Sequence, residues 1–156
     1  MRIAVFAAAA AVALASAMVA AKPLTKPQAL AVMHERHEGM EKIGDTNKLL
    51  RRELASDNPF MPTVKSGAAT IAGLSKRASG WFPAGTGPET GKTGAKPEIW
   101  QKPQDFAVKL RNFQAAAAVF QAAVNAGDAS AMKARYADMI RRCSACHDNY
   151  RSEMHH

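Results

Sequence analysis

The sequence predicts an all-α chain folded as an antiparallel four-helix bundle. Four stretches place apolar residues at steps alternating between three and four, the signature of a helix with one buried stripe. Breaker residues fall between these stretches, giving short joins of the antiparallel kind and one long loop. No run of residues alternates with the period of two that marks a half-buried strand.

Lys22-Pro23 and Lys26-Pro27 precede the first helix, whose stripe is Met33, Met40, Ile43, Leu50 and Leu54. Arg36 and Asn47 occupy intermediate slots of that stripe. Ser56-Asp57-Asn58-Pro59 closes the helix, and Pro62 suits the first turn of the second, which needs no backbone N–H there. The second stripe is Val64, Ala68, Ile71, Leu74 and Ala78. Five glycines and four prolines make 80–103 a long loop, with Trp81, Phe82 and Trp100 at its edges as apolar anchors. The third stripe reads Phe106, Leu110, Phe113, Ala117, Phe120 and Val124, and the small run Ala115 to Ala118 allows close helix approach. Asn125-Ala126-Gly127-Asp128 predicts a tight turn in which Asp128 caps the last helix. That helix carries Met132, Tyr136, Met139, Cys143, Cys146 and Tyr150.

Residues 1–21 read as a secretory signal peptide. Arg2 supplies the charged start, Ile3 to Leu14 the apolar run, and Val19-Ala20-Ala21 a small-residue cleavage site, with Ala17 and Ala20 as alternatives. The apolar run is short for a membrane anchor and has no stop-transfer flank. A single domain over 22–156 is expected, exported to the periplasm and without a stable membrane span. The formal charge is +8, and removal of Arg2 leaves +7. Such a balance attracts an acidic partner surface or an anionic membrane. Nucleic acid is not expected, since no aromatic-basic binding motif appears. No nucleophile–base–orienter constellation appears either, so no catalytic residue and no enzyme activity are assigned.

Cys143-Ser144-Ala145-Cys146-His147 has the spacing that attaches a c-type haem. Residues three and four apart share a helix face, so two thiols and an imidazole project together. A dithiol redox switch would sit beside βαβ structure, which is absent from the pattern. A zinc site would need a further Cys or His pair, and the other histidines lie at 34, 37, 155 and 156. A disulfide across two intervening residues would close a tiny loop and stabilise little. In an oxidising compartment two free thiols tend to pair, whereas capture as thioethers removes that fate.

With this motif on the last predicted helix, the chain resembles the class II c-type cytochromes, the cytochrome c′ family, over essentially all of 22–156. Further residues carry the likeness: Arg36-His37-Glu38-Gly39-Met40 with Gly44, then Phe82-Pro83-Ala84-Gly85-Thr86, Lys96-Pro97-Glu98-Ile99-Trp100, and Asp148-Asn149-Tyr150-Arg151 after the pentad. The resemblance implies one haem c near one end of the bundle, bonded to Cys143 and Cys146, with His147 on the iron. It places Arg36 and Thr86 at the haem propionates; a seam charge such as Arg36 is costly unless paired in this way. It places Arg151 near the proximal face, although the dipole at a helix C-terminus accounts for Arg151 equally well.

The resemblance puts Met40 at the sixth iron position and matches the family's low-spin, methionine-ligated branch. On physics alone Met33 competes, since it lies seven residues earlier on the same face, about 10 Å along the axis. His34 and His37 fall on solvated flanks. The implied function is electron transfer with redox partner proteins that have an acidic docking surface. The alternative is a five-coordinate haem protein that binds or sequesters gases such as nitric oxide. A third reading is a haem-free helical binding module. The family also dimerises through its first two helices, so a homodimer is allowed.

Overall fold

Thr25 sets the start of the first helix. Its backbone N–H and its hydroxyl both donate to Gln28 Oε1 at 2.9 Å, which satisfies groups the first turn leaves without partners. The structure is a computed structural model that describes residues 22–153, so the signal peptide expected at 1–21, and His155 and His156, lie outside the described residues. Helix α1 runs Lys26–Ala55 and buries Met33, Arg36, Gly39, Ile43, Leu50 and Leu54 along one face. Helix α2, Met61–Arg77, opens on a proline in its first turn and buries Val64, Ala68 and Ile71. A 3-10 turn follows at Ala78–Gly80.

The expected long loop is interrupted by a one-turn helix, α3, at Glu98–Gln101. Four residues are too few to leave a periodic signal, which is why the pattern gave no sign of it. Helix α4 spans Pro103–Ala126 and stops at Gly127, whose φ of 74° places it in the left-handed region that favours glycine. Asp128 then accepts the Ala131 backbone N–H at 2.9 Å and starts α5, Ala129–Tyr150. No described helix is long and apolar enough to cross a membrane.

Helix α1 packs on α2, α2 on α4, and α4 on α5, whereas α1 and α5 do not approach each other comparably. The fold is the expected four-helix bundle with one open seam. Its main core includes Leu50, Val64, Ile71, Phe120, Val124 and Met139. Met33 and Met132 are buried as well, as their stripe positions predict. A second cluster of Ile99, Phe106 and Tyr150, with Phe82, Trp100 and Cys146 against it, closes one end. There the Phe106 ring meets Phe82 and Tyr150 edge-on, at centroid distances of 4.7 and 5.3 Å.

Trp81 is more than a loop anchor, because it is 1% exposed and belongs to the main core. Its six-membered ring lies directly on Gly39 of α1, where an added Cβ would stand 2.2 Å from Cη2. Glycine inside a helix costs about 1 kcal/mol relative to alanine, so this one is retained for the close approach. Gly39→Ala should therefore destabilise, since overpacking by about 1–3 kcal/mol outweighs the propensity gained. Denaturant unfolding checks this, and a rise in stability would show that the indole moves aside freely.

The segment between α2 and α3 is also tied to the end of α5. The Lys96 N–H donates to the Tyr150 carbonyl at 3.0 Å, and the Ser152 N–H to the Gly94 carbonyl at 2.9 Å. An isolated bridge joins Ala95 and Arg151.

Candidate functional site

Cys143 and Cys146 are free, half-buried thiols one turn apart on α5. Cys143 packs against the main core and Cys146 against the end cluster, so the pair bridges the two apolar regions. Burial pushes the Cys143 thiol up to about 11, with Cys146 adding to the rise. Burial also raises Cys146, partly offset by Lys109. Reactive dithiols need the opposite shift, toward thiolate, so these surroundings disfavour a redox switch.

His147 is exposed on the last turn of α5, and its pKa is lowered, first by desolvation and then by Arg151, with Asp148 opposing. The neutral imidazole this favours has a lone pair free for a metal. Arg151 itself is exposed and directly follows α5, where its N–H bonds the His147 carbonyl at 3.0 Å.

A side-chain hydrogen bond joins α5 to α1 lower in the bundle. Tyr136 Oη donates to Asn47 on α1, at 2.5 Å from Oδ1 and 3.2 Å from the backbone carbonyl oxygen. From Asn47, Met40 is seven residues back; from Tyr136, Cys143 is seven residues on. Seven residues are nearly two full turns and about 10 Å of rise, so both return to the facing flanks at one height. Arg36 and His147 are each eleven residues away, three turns, and share the next level. By this register Arg36 and Met40 on α1 stand level with His147 and Cys143 on α5.

Met33 sits differently. It is 7% exposed, and its terminal methyl lies 3.5 Å from the Cβ position of Gly91 in the overlying loop. Met40 is half-buried at the margin of the main core. His34 and His37 are exposed, and His37 Nε2 lies 3.4 Å from Glu41 Oε1.

Arg36 is buried and bonded only to neutral acceptors. Nη1 donates to the Trp81 carbonyl at 3.1 Å and to Thr86 Oγ1 at 3.3 Å. Nη2 donates to the Thr86 carbonyl and to Thr93 Oγ1, both at 2.9 Å. The Phe82 and Trp100 rings lie 5.2 and 5.9 Å from its Cζ. Desolvation lowers its pKa, yet a guanidinium stays protonated. This is a buried cation with no bonded carboxylate among the described residues.

The donor set fits a covalently bound haem. Two thiols and an imidazole share one end of α5, where α5 packs less closely on α1 than on α4. Arg36, the one buried cation among the described residues, feels Glu89 through space but bonds no carboxylate, which suits a propionate. Thr93, Asn47 and Tyr136 were not singled out from the sequence as parts of the site. Tyr136 could have been found, because the eleven residues separating it from His147 put both on one flank.

A profile of the family described as cytochrome C′ matches residues 31–151. Cytochrome c′ of Alcaligenes xylosoxydans xylosoxydans is 36% identical over 90 residues, covering 58% of this chain and 68% of that protein. Cytochrome c-554 of Cereibacter sphaeroides is 37% identical over 73 residues, covering 46% of this chain and 54% of that protein. The crystal structure of cytochrome c′ from Thermochromatium tepidum aligns with a TM-score of 0.74 at 26% identity, over 83% of this chain and 98% of that one.

Proposed function

The chain belongs to the cytochrome c′ family and is a monohaem c-type cytochrome, and from that premise we propose that it is an exported, periplasmic electron-transfer protein with Met40 and His147 as the two iron ligands. What supports this reading is the register counted from the Asn47–Tyr136 hydrogen bond, which puts Met40 level with Cys143 and Arg36 level with His147. In it, residues 1–21 are the signal peptide and residues 22–156 the cytochrome domain.

A bound haem c supplies a one-electron ferric–ferrous couple. The chain does the rest. Cys143 and Cys146 fix the group to α5 as thioethers, and His147 presents its nitrogen from the adjoining turn. Arg36 neutralises a propionate while Thr86 and Thr93 hold the guanidinium in place. The soft Met40 thioether favours the reduced state and so raises the potential. If Met40 and His147 both held the iron, substrate would find no free site there, which fits a carrier rather than an enzyme.

A second reading draws on the match to proteins named cytochrome c′. There Met40 only lines the distal pocket, and the five-coordinate iron binds or sequesters a gas such as nitric oxide. The absorption spectrum of the ferrous protein with and without carbon monoxide separates the two. A low-spin spectrum unchanged by carbon monoxide supports the first reading, and a high-spin spectrum that shifts supports the second.

The charge of +7 left after removal of Arg2 from the +8 chain motivates an acidic redox partner. Electron transfer to such a partner should slow as salt rises past about 0.1 M, where the Debye length is about 10 Å. Stopped-flow rates across a salt series check this, and a flat profile removes charge as the basis of partner choice.

A further inference from the structure

We propose that the Asn47–Tyr136 hydrogen bond is a positioning device that sets the spacing of α1 from α5 and so holds the Met40 sulfur at bonding distance from the iron; the inference rests on the reading of Met40 as a ligand. Helices α1 and α5 are joined at two heights. At the upper one the link is indirect. Arg36 holds Thr86 and Thr93, and the neighbouring Gly94 and Lys96 bond Ser152 and Tyr150 at the end of α5. At the lower one the link is direct, from Tyr136 Oη to Asn47. Among the described residues these are the only hydrogen bonds between α1 and α5 themselves, and no ion pair joins the two.

Met40 lies between the two ties, four residues from Arg36 and seven from Asn47. A stiff helix over three turns transmits displacement like a lever. A shift of about 1 Å at the lower tie moves α1 at Met40 by about 0.4 Å, whereas metal–ligand distances tolerate only about 0.2 Å. The donor at that tie is well kept. Tyr136 is half-buried, burial raises its pKa so the hydroxyl retains its proton, and its ring rests on Phe120 of α4 at 5.6 Å. Because that ring contact survives loss of the hydroxyl, Tyr136→Phe removes the tie with little else.

The test uses the haem-loaded protein. Tyr136→Phe should bring in a high-spin component, lower the reduction potential, and speed carbon monoxide association at least tenfold; Asn47→Ala removes only the Oδ1 acceptor, leaves the backbone carbonyl, and should move each readout the same way by less. The double variant should do no more than Tyr136→Phe alone, since that change already removes the donor of both contacts. In a Met40→Ala background, Tyr136→Phe should leave the spin state where it was. A readout independent of Met40 is the distance between nitroxides placed by Lys48→Cys and Ala137→Cys, which should widen or broaden in Tyr136→Phe. An unchanged distance overturns the tie whatever the spectrum does. If the distance widens while both single variants keep the native spin state and Met40→Ala changes it, the positioning role fails and the ligand assignment stands. If Met40→Ala also leaves the spectrum alone, the ligand reading itself has failed and the inference falls with it. Should Tyr136→Phe not retain haem, Asn47→Ala gives the same readouts with the tie weakened to its backbone acceptor, and an unchanged nitroxide distance there overturns the inference.

Discussion

Replacing both Cys143 and Cys146 with alanine should abolish covalent haem attachment. Acid-acetone extraction of the unmodified protein should leave the colour with the chain, and extraction of the double variant should remove all of it. The expected effect is close to complete because the two thioethers are the only covalent links the motif offers. The remaining contacts proposed for the haem, the His147 imidazole, the Met40 sulfur and Arg36, would be disrupted by acid and solvent. The variant should also lose stability when the haem is gone. Arg36 would then keep its four hydrogen bonds to neutral acceptors, with Glu89 acting only through space and no bonded anion, and a buried charge so placed is costly. Each single variant should keep one thioether and therefore its colour. Extraction of all haem from the unmodified protein would refute the attachment, and a double variant that kept its colour would place the link elsewhere.

The bundle was legible in the sequence because its information is local. Stripes at three- and four-residue steps give the helices, and Gly127 with Asp128 gives the last turn. The haem motif was legible for the same reason, since Cys143, Cys146 and His147 meet on one face with no help from the rest of the fold. Contacts between segments distant in sequence were not. Nothing near Gly39 says that Trp81, forty-two residues on, lies against it. Arg36 was readable as a seam charge in need of a partner, but not as the residue that grips Thr86 and Thr93. Periodicity could not separate Met33 from Met40, because seven residues return the chain to the same flank. Their surroundings differ only in three dimensions, where Met33 is covered by the segment at Gly91 and Met40 borders the open seam. The one-turn α3 was missed because four residues have no period to show.

Met40→Ala should convert low-spin iron to high-spin, admit carbon monoxide rapidly, and lower the reduction potential. The direction of the potential follows from ligand chemistry. A thioether stabilises ferrous iron over ferric, so its loss favours the oxidised state. The variant should keep its haem, because both thioethers and His147 remain. It should also stay folded, since Met40 lies at the margin of the core rather than within it. Met33→Ala is the control on the same face of the same helix. That side chain is buried beneath the loop, so its truncation should cost packing, about 2–5 kcal/mol, and leave the spectrum as it was. The two variants thus separate ligation from burial by opposite outcomes in two measurements. A spin change in Met33→Ala but not in Met40→Ala would put the ligand two turns nearer the N-terminus of α1 and break the level pairing with Cys143. If the unmodified protein is already high-spin and neither change alters it, the sixth position is open, and gas binding replaces electron transfer as the function of this chain.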